Sequence, residues 1–230
     1  MFELTATEQE ALTLSLRVAL WSVTFSLPPA VAIAWLLARG RFPGKSLITT
    51  LVHLPLVLPP VVTGYLLLIV FGRKGLIGEF LEQTFDIVFA FRWTGAVLAA
   101  AVMAFPLLVR PIRLSIEAID LRLESAAATL GANRIAVFLT ITLPLALPGI
   151  LAGVILGFAK AMGEFGATIT FVSNIPGETQ TLPIAIYTVL QVPGGESAAL
   201  RLTLIAVAVS ILALLASEWF AHWLRQRIEH

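Results

Sequence analysis

Five long stretches without a formal charge divide this sequence, and their length restricts the folds that the chain can adopt. They cover residues 18–38, 46–72, 93–109, 135–159 and 202–217. A helix that crosses a bilayer needs about 20 mostly apolar residues, and the arginines that flank the shortest stretch can extend toward the headgroups. Hydrophobic residues make up 58% of the chain and charged residues only 13%, unlike the composition of soluble proteins. The sequence therefore predicts an all-α integral membrane protein with five transmembrane helices in a single domain, residues 1–230.

A sixth apolar segment, residues 165–195, complicates the count of crossings. Two turn-forming clusters interrupt it, Asn174-Ile175-Pro176-Gly177 and Pro193-Gly194-Gly195. Glycine and proline are the strongest local signals for turns, so a continuous helix is disfavoured here. We expect a partly buried external segment, with a full sixth crossing as the alternative.

The basic residues of the connections predict the orientation, because Lys and Arg collect in cytoplasmic loops. With five crossings, one side has only Arg73, Lys74 and Arg92. The other side has nine basic residues, namely Arg39, Arg41, Lys45, Arg110, Arg113, Arg122, Arg134, Arg225 and Arg227. The N-terminus is therefore predicted outside and the C-terminus in the cytoplasm of a multi-pass membrane protein.

Groups that could perform catalysis are scarce in the predicted crossings. The chain has no cysteine and three scattered histidines, which predicts no metal site, and no basic face laced with aromatic residues suggests nucleic acid. His53 has no evident base or acid partner. It is interpreted as an interfacial or hydrogen-bonded histidine, with a proton relay or an intramembrane hydrolase as the alternatives. We therefore expect no enzyme activity. The same scarcity of intramembrane Asp, Glu, Lys and His disfavours a proton-coupled carrier, so a carrier of this kind would need another source of energy.

Three prolines lie in the second apolar stretch, at Pro55, Pro59 and Pro60. Each lacks a backbone donor and disturbs the preceding turn. In lipid, the carbonyls freed in this way need partners, so broken helices usually face protein or a water-filled path. We expect these prolines near a pore or gate, with a kinked structural helix as the alternative.

The fourth stretch carries a second set of candidate pore or gate residues. Gly149, Gly153 and Gly157 recur every four residues, so they share one helical face and allow another helix to approach closely. That helix could belong to the same subunit or to a second one. Lys160 and Glu164 lie one turn apart at the far end. They form either an interfacial ion pair or, through Lys160, part of a positive outer vestibule for an anion.

Residues 120–132 predict a short helix outside the membrane, with Asp120 as its N-cap and Gly131 as its end. By itself, this pattern is typical of an amphipathic surface helix or of a docking element. A fixed spacing accompanies the helix. Its members are Ser125-Ala126-Ala127, then Gly131 after three residues, then Ile141-Thr142-Leu143-Pro144 after nine more.

This spacing resembles the cytoplasmic EAA loop of ABC importer permeases, here residues 118–134. The resemblance implies a coupling helix that inserts into a cleft on a separate ATP-binding subunit. The family's motif begins with Glu where this chain has Ser125, so docking is expected without a specific salt bridge from that position. The residues implied in coupling are Glu124, Ser125, Ala126, Ala127, Gly131, Ile141, Leu143 and Pro144.

Two longer stretches, residues 53–65 and 163–179, resemble molybdate permeases, and the similarity extends over almost the whole chain. Sulfate and thiosulfate permeases share parts of the second stretch, which leaves a sulfate-type cargo as the rival. The resemblance implies the type I ABC importer permease fold and an inner-membrane homodimer surrounded by lipid. It also implies an external molybdate-binding protein and a partner subunit that uses ATP and Mg, so that this chain itself binds no cofactor. The implied cargo is molybdate and also tungstate.

Overall fold

The computed structural model describes the backbone of residues 5–228 and the side chains of residues 5–213 and 215. All regular secondary structure in this part of the chain is helical, which confirms the predicted fold class. In chain order, the helices are α1 (Ala6–Arg39), α2 (Lys45–Val57), α3 (Pro60–Phe71), α4 (Leu76–Phe85), α5 (Trp93–Glu117), α6 (Leu121–Thr129), α7 (Arg134–Val137), a π-helical turn (Phe138–Thr142), α8 (Leu143–Leu145), α9 (Leu147–Met162), α10 (Gly166–Val172), α11 (Leu182–Leu190) and α12 (Glu196–Ile228).

Three unbroken helices in the described range are long and apolar enough to cross a membrane: α1, α5 and residues Glu196–Ala213 of α12. Two bent pairs also meet this criterion. One consists of α2 and α3, which are bent by 115°, and the other joins Arg134–Leu145 to α9 with a bend of 67°. If each pair is one crossing, the described chain has up to five, which agrees with the predicted number.

The bend between α2 and α3 lies where adjacent prolines remove two backbone donors. The last hydrogen bond of α2 runs from the Leu58 amide to the Leu54 carbonyl, and α3 starts at Pro60. Pro55, in contrast, stays inside α2. With 13 and 12 residues, the two helices are about 20 Å and 18 Å long, less than the roughly 30 Å of a hydrocarbon core. The second apolar stretch is therefore two short helices, and the break is at Pro59.

The segment 165–195 forms α10 and α11, of seven and nine residues, which are too short to cross a bilayer. Both helices bury apolar side chains in the protein: Phe171, Val172 and Ile184 are 0% exposed and Leu182 is 1% exposed. The partly buried segment predicted here is confirmed, and the structure does not form the alternative sixth crossing.

Helix α5 lies at the centre of the fold and contacts α1, α9, α10 and α2. Its many alanines let neighbouring backbones approach closely, which is how helices commonly associate in lipid. One hydrophobic cluster joins the first half of α5 to α10 and the early turns of α1. A second cluster joins its last turns to the end of α1, α2 and the start of α9. These contacts fix the end of α5, from which the chain enters α6.

Candidate functional site

Helix α6 begins and ends where the sequence predicts. The Asp120 carboxylate accepts a hydrogen bond from the Arg122 amide at 2.9 Å and so caps the first turn. At the other end, Gly131 has a φ of +89°, a conformation that glycine adopts without steric cost. The Ala132 amide then donates to the Ala127 carbonyl at 3.1 Å, which satisfies one of the last carbonyls of the helix.

The rest of the described chain covers α6 very little. No α6 residue is buried by the described part of the structure. Three leucines in and after the helix are especially exposed: Leu121 by 55%, Leu123 by 49% and Leu130 by 89%. Exposed large apolar side chains that lie close together are a feature of interaction sites. The geometry of α6 therefore suits docking against another protein.

Glu124 points toward its own chain. Its Oε1 atom accepts hydrogen bonds from Arg39 Nη2 at 2.9 Å and from Thr142 Oγ1 at 3.0 Å. Arg39 also donates to the Ile119 carbonyl at 3.2 Å. The Arg39 and Glu124 side chains are only 15% and 18% exposed, respectively. This carboxylate thus joins the end of α1, helix α6 and the π-helical turn.

Sequence reasoning identified Glu124 only as a coupling residue and missed both of its partners. Arg39 and Glu124 are 85 positions apart, and no spacing rule connects them. The only local signal was a basic residue at the end of a helix, which the helix dipole also explains. The contact was therefore visible only in the tertiary structure.

The other residues of the motif divide into two groups. Ser125 and Ala126 are exposed, Ala127 is half-buried, and the Ser125 hydroxyl donates back to the Leu121 carbonyl at 2.9 Å. The Ile-Thr-Leu-Pro group lies beyond α6. Its Ile141 and Thr142 belong to the π-helical turn, and Leu143 and Pro144 to α8.

A π-helical turn ends two residues before Pro144. It closes with a hydrogen bond from the Leu143 amide to the Phe138 carbonyl, five residues back. Pro144 has no amide hydrogen to continue the regular pattern. The Ile-Thr-Leu-Pro group therefore marks a local irregularity that links the loop to α9.

The three glycines of α9 face α5 of the same chain. A Cβ atom at Gly149 would lie 2.3 Å from the Ser115 Cβ, and one at Gly153 would lie 2.9 Å from the Leu108 carbonyl oxygen. At Gly157 it would approach the Leu108 side chain at 3.0 Å. Of the two alternatives, the close helix contact is within the subunit. The face that these glycines share is filled by α5 in the described structure. A role of the three glycines in a pore or gate stays a prediction.

The prolines of the second stretch lie at two different contacts. Pro55 faces a cavity between α1, α2 and α5. Pro60 packs on α10, where a Cβ atom at Gly166 would come within 2.8 Å of the Pro60 Cβ. Gly64 makes the reciprocal approach, since a Cβ there would lie 2.5 Å from the Ala167 carbonyl oxygen. Pro59 is exposed at the bend. A role of these prolines in a pore stays a prediction.

Lys160 and Glu164 form a close ion pair of 2.6 Å. The Glu164 side chain is 1% exposed, and its other oxygen accepts the Ala167 amide at 3.0 Å. Glu164 thus holds the start of α10 against the end of α9 and offsets the charge of Lys160. The geometry agrees with the ion-pair interpretation, whereas a role of Lys160 toward an anion stays a prediction.

The end of the molecule opposite α6 contains another ion pair, between Arg201 Nη2 and Glu8 Oε1 at 2.5 Å. Glu8 also completes a capping box with Thr5 at the start of α1. Nearby, the Leu182 amide donates to the buried Ser15 hydroxyl at 2.6 Å. Helices α1, α11 and α12 are therefore held together at this end.

Groups suited to catalysis remain sparse in three dimensions. The residues that the structure describes include no cluster of three or more His, Cys, Asp or Glu side chains that could hold a metal. The His53 Nδ1 lies 2.8 Å from the Thr49 carbonyl of its own helix. A hydrogen bond of this kind fits the structural interpretation of the histidine.

Residues 30–230 match the family described as binding-protein-dependent transport system inner membrane component. The chain belongs to this family. Within it, the chain is 61% identical over 224 residues to the molybdenum transport system permease protein ModB of Escherichia coli, covering 97% of this chain and 98% of that one. It is 59% identical to ModB of Haemophilus influenzae, with 96% of each chain covered. It therefore belongs with the ModB-like permeases. The sulfate transport system permease protein CysW of Synechococcus elongatus is 38% identical, with 90% and 73% covered.

Solved structures confirm the fold. A bacterial ABC transporter that imports the acidic polysaccharide alginate has a chain that matches with a TM-score of 0.72 at 17% identity, covering 97% of this chain and 80% of that one. An amino acid ABC transporter matches with a TM-score of 0.62 at 20% identity, covering 96% and 94%. The protein has the fold of an ABC importer permease and is a transport component of the inner membrane.

Proposed function

We propose that this chain is the translocation subunit of an ATP-driven importer for molybdate and also for tungstate. The observation that carries the proposal is its 61% identity to a molybdenum transport permease along almost the full length of both chains. The sulfate permease CysW is 38% identical to this chain and covers a smaller share of it. Sulfate transport is accordingly the weaker alternative.

In this proposal, a separate subunit binds ATP and Mg and hydrolyses the nucleotide. Helix α6 supplies the docking surface, because its leucines are exposed and its ends are firmly capped. Movement of α6 reaches the transmembrane helices by two routes. One is the Glu124 contact to Arg39 at the end of α1, and the other is the short connection through the π-helical turn to α9.

An external solute-binding protein delivers the cargo, and two copies of this chain form the conduit. A solved relative of the same fold is described in complex with a substrate-bound periplasmic protein. The second copy is expected against α2 and α3, where Val57 is 81% exposed and Val61 and Tyr65 are more than half exposed. The N-terminus lies outside and the C-terminus in the cytoplasm, which places α6 on the same side as the ATP-binding subunit.

The cycle needs two states that the partners bind with different affinities, because a ligand shifts an equilibrium only through such a difference. ATP-driven closure of the partner subunits favours the outward-open state, and hydrolysis returns the permease to the inward-open one. We assign this difference in affinity to the contact between helix α6 and the ATP-binding subunit.

The decisive experiment is uptake into proteoliposomes that hold this chain with its ATP-binding subunit and solute-binding protein. We expect ATP-dependent uptake of molybdate and tungstate and none of sulfate. Sulfate uptake would assign the chain to the sulfate branch. An assembled complex without any ATP-dependent uptake would contradict the transport proposal, and turnover of a substrate by the isolated chain without ATP would support an enzyme instead.

A further inference from the structure

A groove with an apolar and a polar part runs along the end of α1. The apolar part has a volume of about 420 Å³ between the last turns of α1 and the start of the broken fourth crossing. It continues into a polar part of similar volume beside α6. Both parts share Trp35, Arg134 and Phe138. We call the two parts together the Arg134 groove.

The apolar part extends over most of the depth of one leaflet of a bilayer. It extends along α1 from Pro28 to Leu36, and α1 ends at Arg39. Pro28 lies 11 positions before Arg39, which is about 16 Å of helix and close to half of a 30 Å hydrocarbon core. Arg39 contacts α6 and thus lies at the membrane surface of this leaflet. The apolar part therefore reaches from about one helical turn below that surface to about the bilayer centre.

The aromatic pair at the junction marks the level of the headgroups. The rings of Trp35 and Phe138 pack edge to face with their centroids 5.9 Å apart. Tryptophan prefers the boundary between hydrocarbon and headgroups. Just beside the pair, Ile135 is 70% exposed, so the described protein leaves a large apolar side chain at this boundary for a lipid tail to cover.

The charge of the groove is positive where the headgroup of a lipid would lie. Its polar part contains Arg39, Glu124 and Arg134. Arg39 and Glu124 neutralise each other at 2.9 Å. Among the side chains that the structure describes, no carboxylate lies within 4.0 Å of an Arg134 nitrogen, so that one positive charge is left over. Arginine donates in a fork that matches a phosphate.

We propose that the Arg134 groove binds an anionic phospholipid of the leaflet next to α6. One acyl chain occupies the apolar part along α1, and the phosphate accepts hydrogen bonds from the Arg134 guanidinium. Basic pockets between transmembrane helices are suited to such headgroups. The lipid would then contact both α1 and the π-helical turn, beside the contacts through which α6 meets the transmembrane helices.

The test uses the complex with the ATP-binding subunit, depleted of lipid and then offered an equimolar mixture of phosphatidylglycerol and phosphatidylcholine. Native mass spectrometry counts the lipids that stay bound. We expect the wild-type complex to retain phosphatidylglycerol preferentially. Arg134→Gln should lower that preference about fivefold, the factor that corresponds to about 1 kcal/mol for one basic residue near anionic lipid. Arg41→Gln, which removes an exposed charge from the same side but outside the groove, should leave it unchanged.

A second variant tests the apolar part independently of charge. Ala32 is exposed and lines this part, so Ala32→Trp should fill it and reduce retention of phosphatidylglycerol while Arg134 is intact. The proposal is overturned if neither variant changes retention, or if Arg41→Gln acts as strongly as Arg134→Gln. It is also overturned if a photo-crosslinker at Ile135 captures the ATP-binding subunit instead of lipid. The measurement involves no cargo and no ATP turnover, so its failure is distinct from a failure of the proposed transport function.

Discussion

The two ends of α1 are each held by an arginine–glutamate pair, but the two pairs connect very different surroundings. At the start of α1, Glu8 pairs with Arg201 of α12, and neighbouring contacts join the same helices. At its end, Arg39 pairs with Glu124 of α6, a helix that the described chain leaves uncovered. We call the long helices α1, α5, α9 and α12 the framework. The first pair joins two of them, α1 and α12. The second joins the framework to a surface available for a partner, so we expect the two ends to differ in function.

A substitution at the end of helix α6 tests most directly whether the two ends of α1 differ in function. Gly131→Glu forces a side chain onto a φ of +89°, which costs roughly 1–3 kcal/mol, and adds a charge beside the exposed leucines. We expect capture of the ATP-binding subunit and ATP-dependent uptake to fall by more than about tenfold, equivalent to at least 1.4 kcal/mol of docking energy. The protein should still insert into the membrane.

The matched control is Gly194→Glu in the connection before α12. Gly194 also has a positive φ, +81°, and like Gly131 it faces open space in the described structure. The backbone strain is therefore similar, but the substitution lies far from α6. Equal loss of capture in both variants would show that strain, and not docking at α6, explains the effect.

The two ion pairs can be compared directly by Glu124→Gln and Glu8→Gln. Each removes a hydrogen-bonded charge, and each loss should amount to about 1.5–3 kcal/mol locally. Because the described chain covers α6 very little, loosening it should disturb few other contacts. We therefore expect Glu124→Gln to reduce uptake per ATP hydrolysed severalfold and to change Tm less than Glu8→Gln does. Glu8→Gln should lower Tm and leave uptake per ATP unchanged. Uptake assays and thermal unfolding of the same preparations check both, and a reversed result would refute the functional distinction between the ends.

The glycine face of α9 provides a contrast to α6, because its contacts lie inside this chain. Gly149→Ala should cost about 1–3 kcal/mol of stability, since the new methyl group meets the Ser115 Cβ and the Pro111 carbonyl. Gly157→Ala should cost less because it meets only the flexible Leu108 side chain. Thermal unfolding measures this order. If both variants transport normally per folded molecule, the glycines serve packing. A selective loss of transport would support their predicted role in a pore or gate.

The smallest effect is expected at His53. Its hydrogen bond to the Thr49 carbonyl is confined to one turn of α2, so His53→Ala should leave uptake within about twofold of wild type. Uptake over a range of pH values checks this expectation. Complete loss of activity would revive the proton-relay and enzyme alternatives.

Much of this fold was predictable from local sequence. The apolar stretches predicted the crossings because their length is set by the thickness of the bilayer. Asp120 and Gly131 predicted the bounds of α6 because capping acts within four residues. The bends were predicted less well: three prolines suggested a broken helix over residues 46–72, but only the structure shows that Pro55 continues the helix and Pro59 ends it.

The candidate site was predictable only in part. The spacing of the motif indicated α6 and the Ile-Thr-Leu-Pro group, yet the contacts of Glu124 with Arg39 and Thr142 were not predicted. The glycines at positions 149, 153 and 157 indicated a close helix neighbour without identifying it. In each case the missing information was the partner, and a partner in another helix leaves no periodic signal.

Local sequence is enough to predict that this protein lies in a membrane, which segments are long and apolar enough to cross it, and where a short helix forms between two of them. These properties depend on apolar length and on capping, and both act along a continuous segment of chain. Only the tertiary structure shows that Arg39 and Thr142 both donate hydrogen bonds to Glu124, that α9 packs on α5, and that Arg134 lines an apolar groove. Those contacts join residues far apart in the chain, and they form only when the helices pack at particular angles and depths.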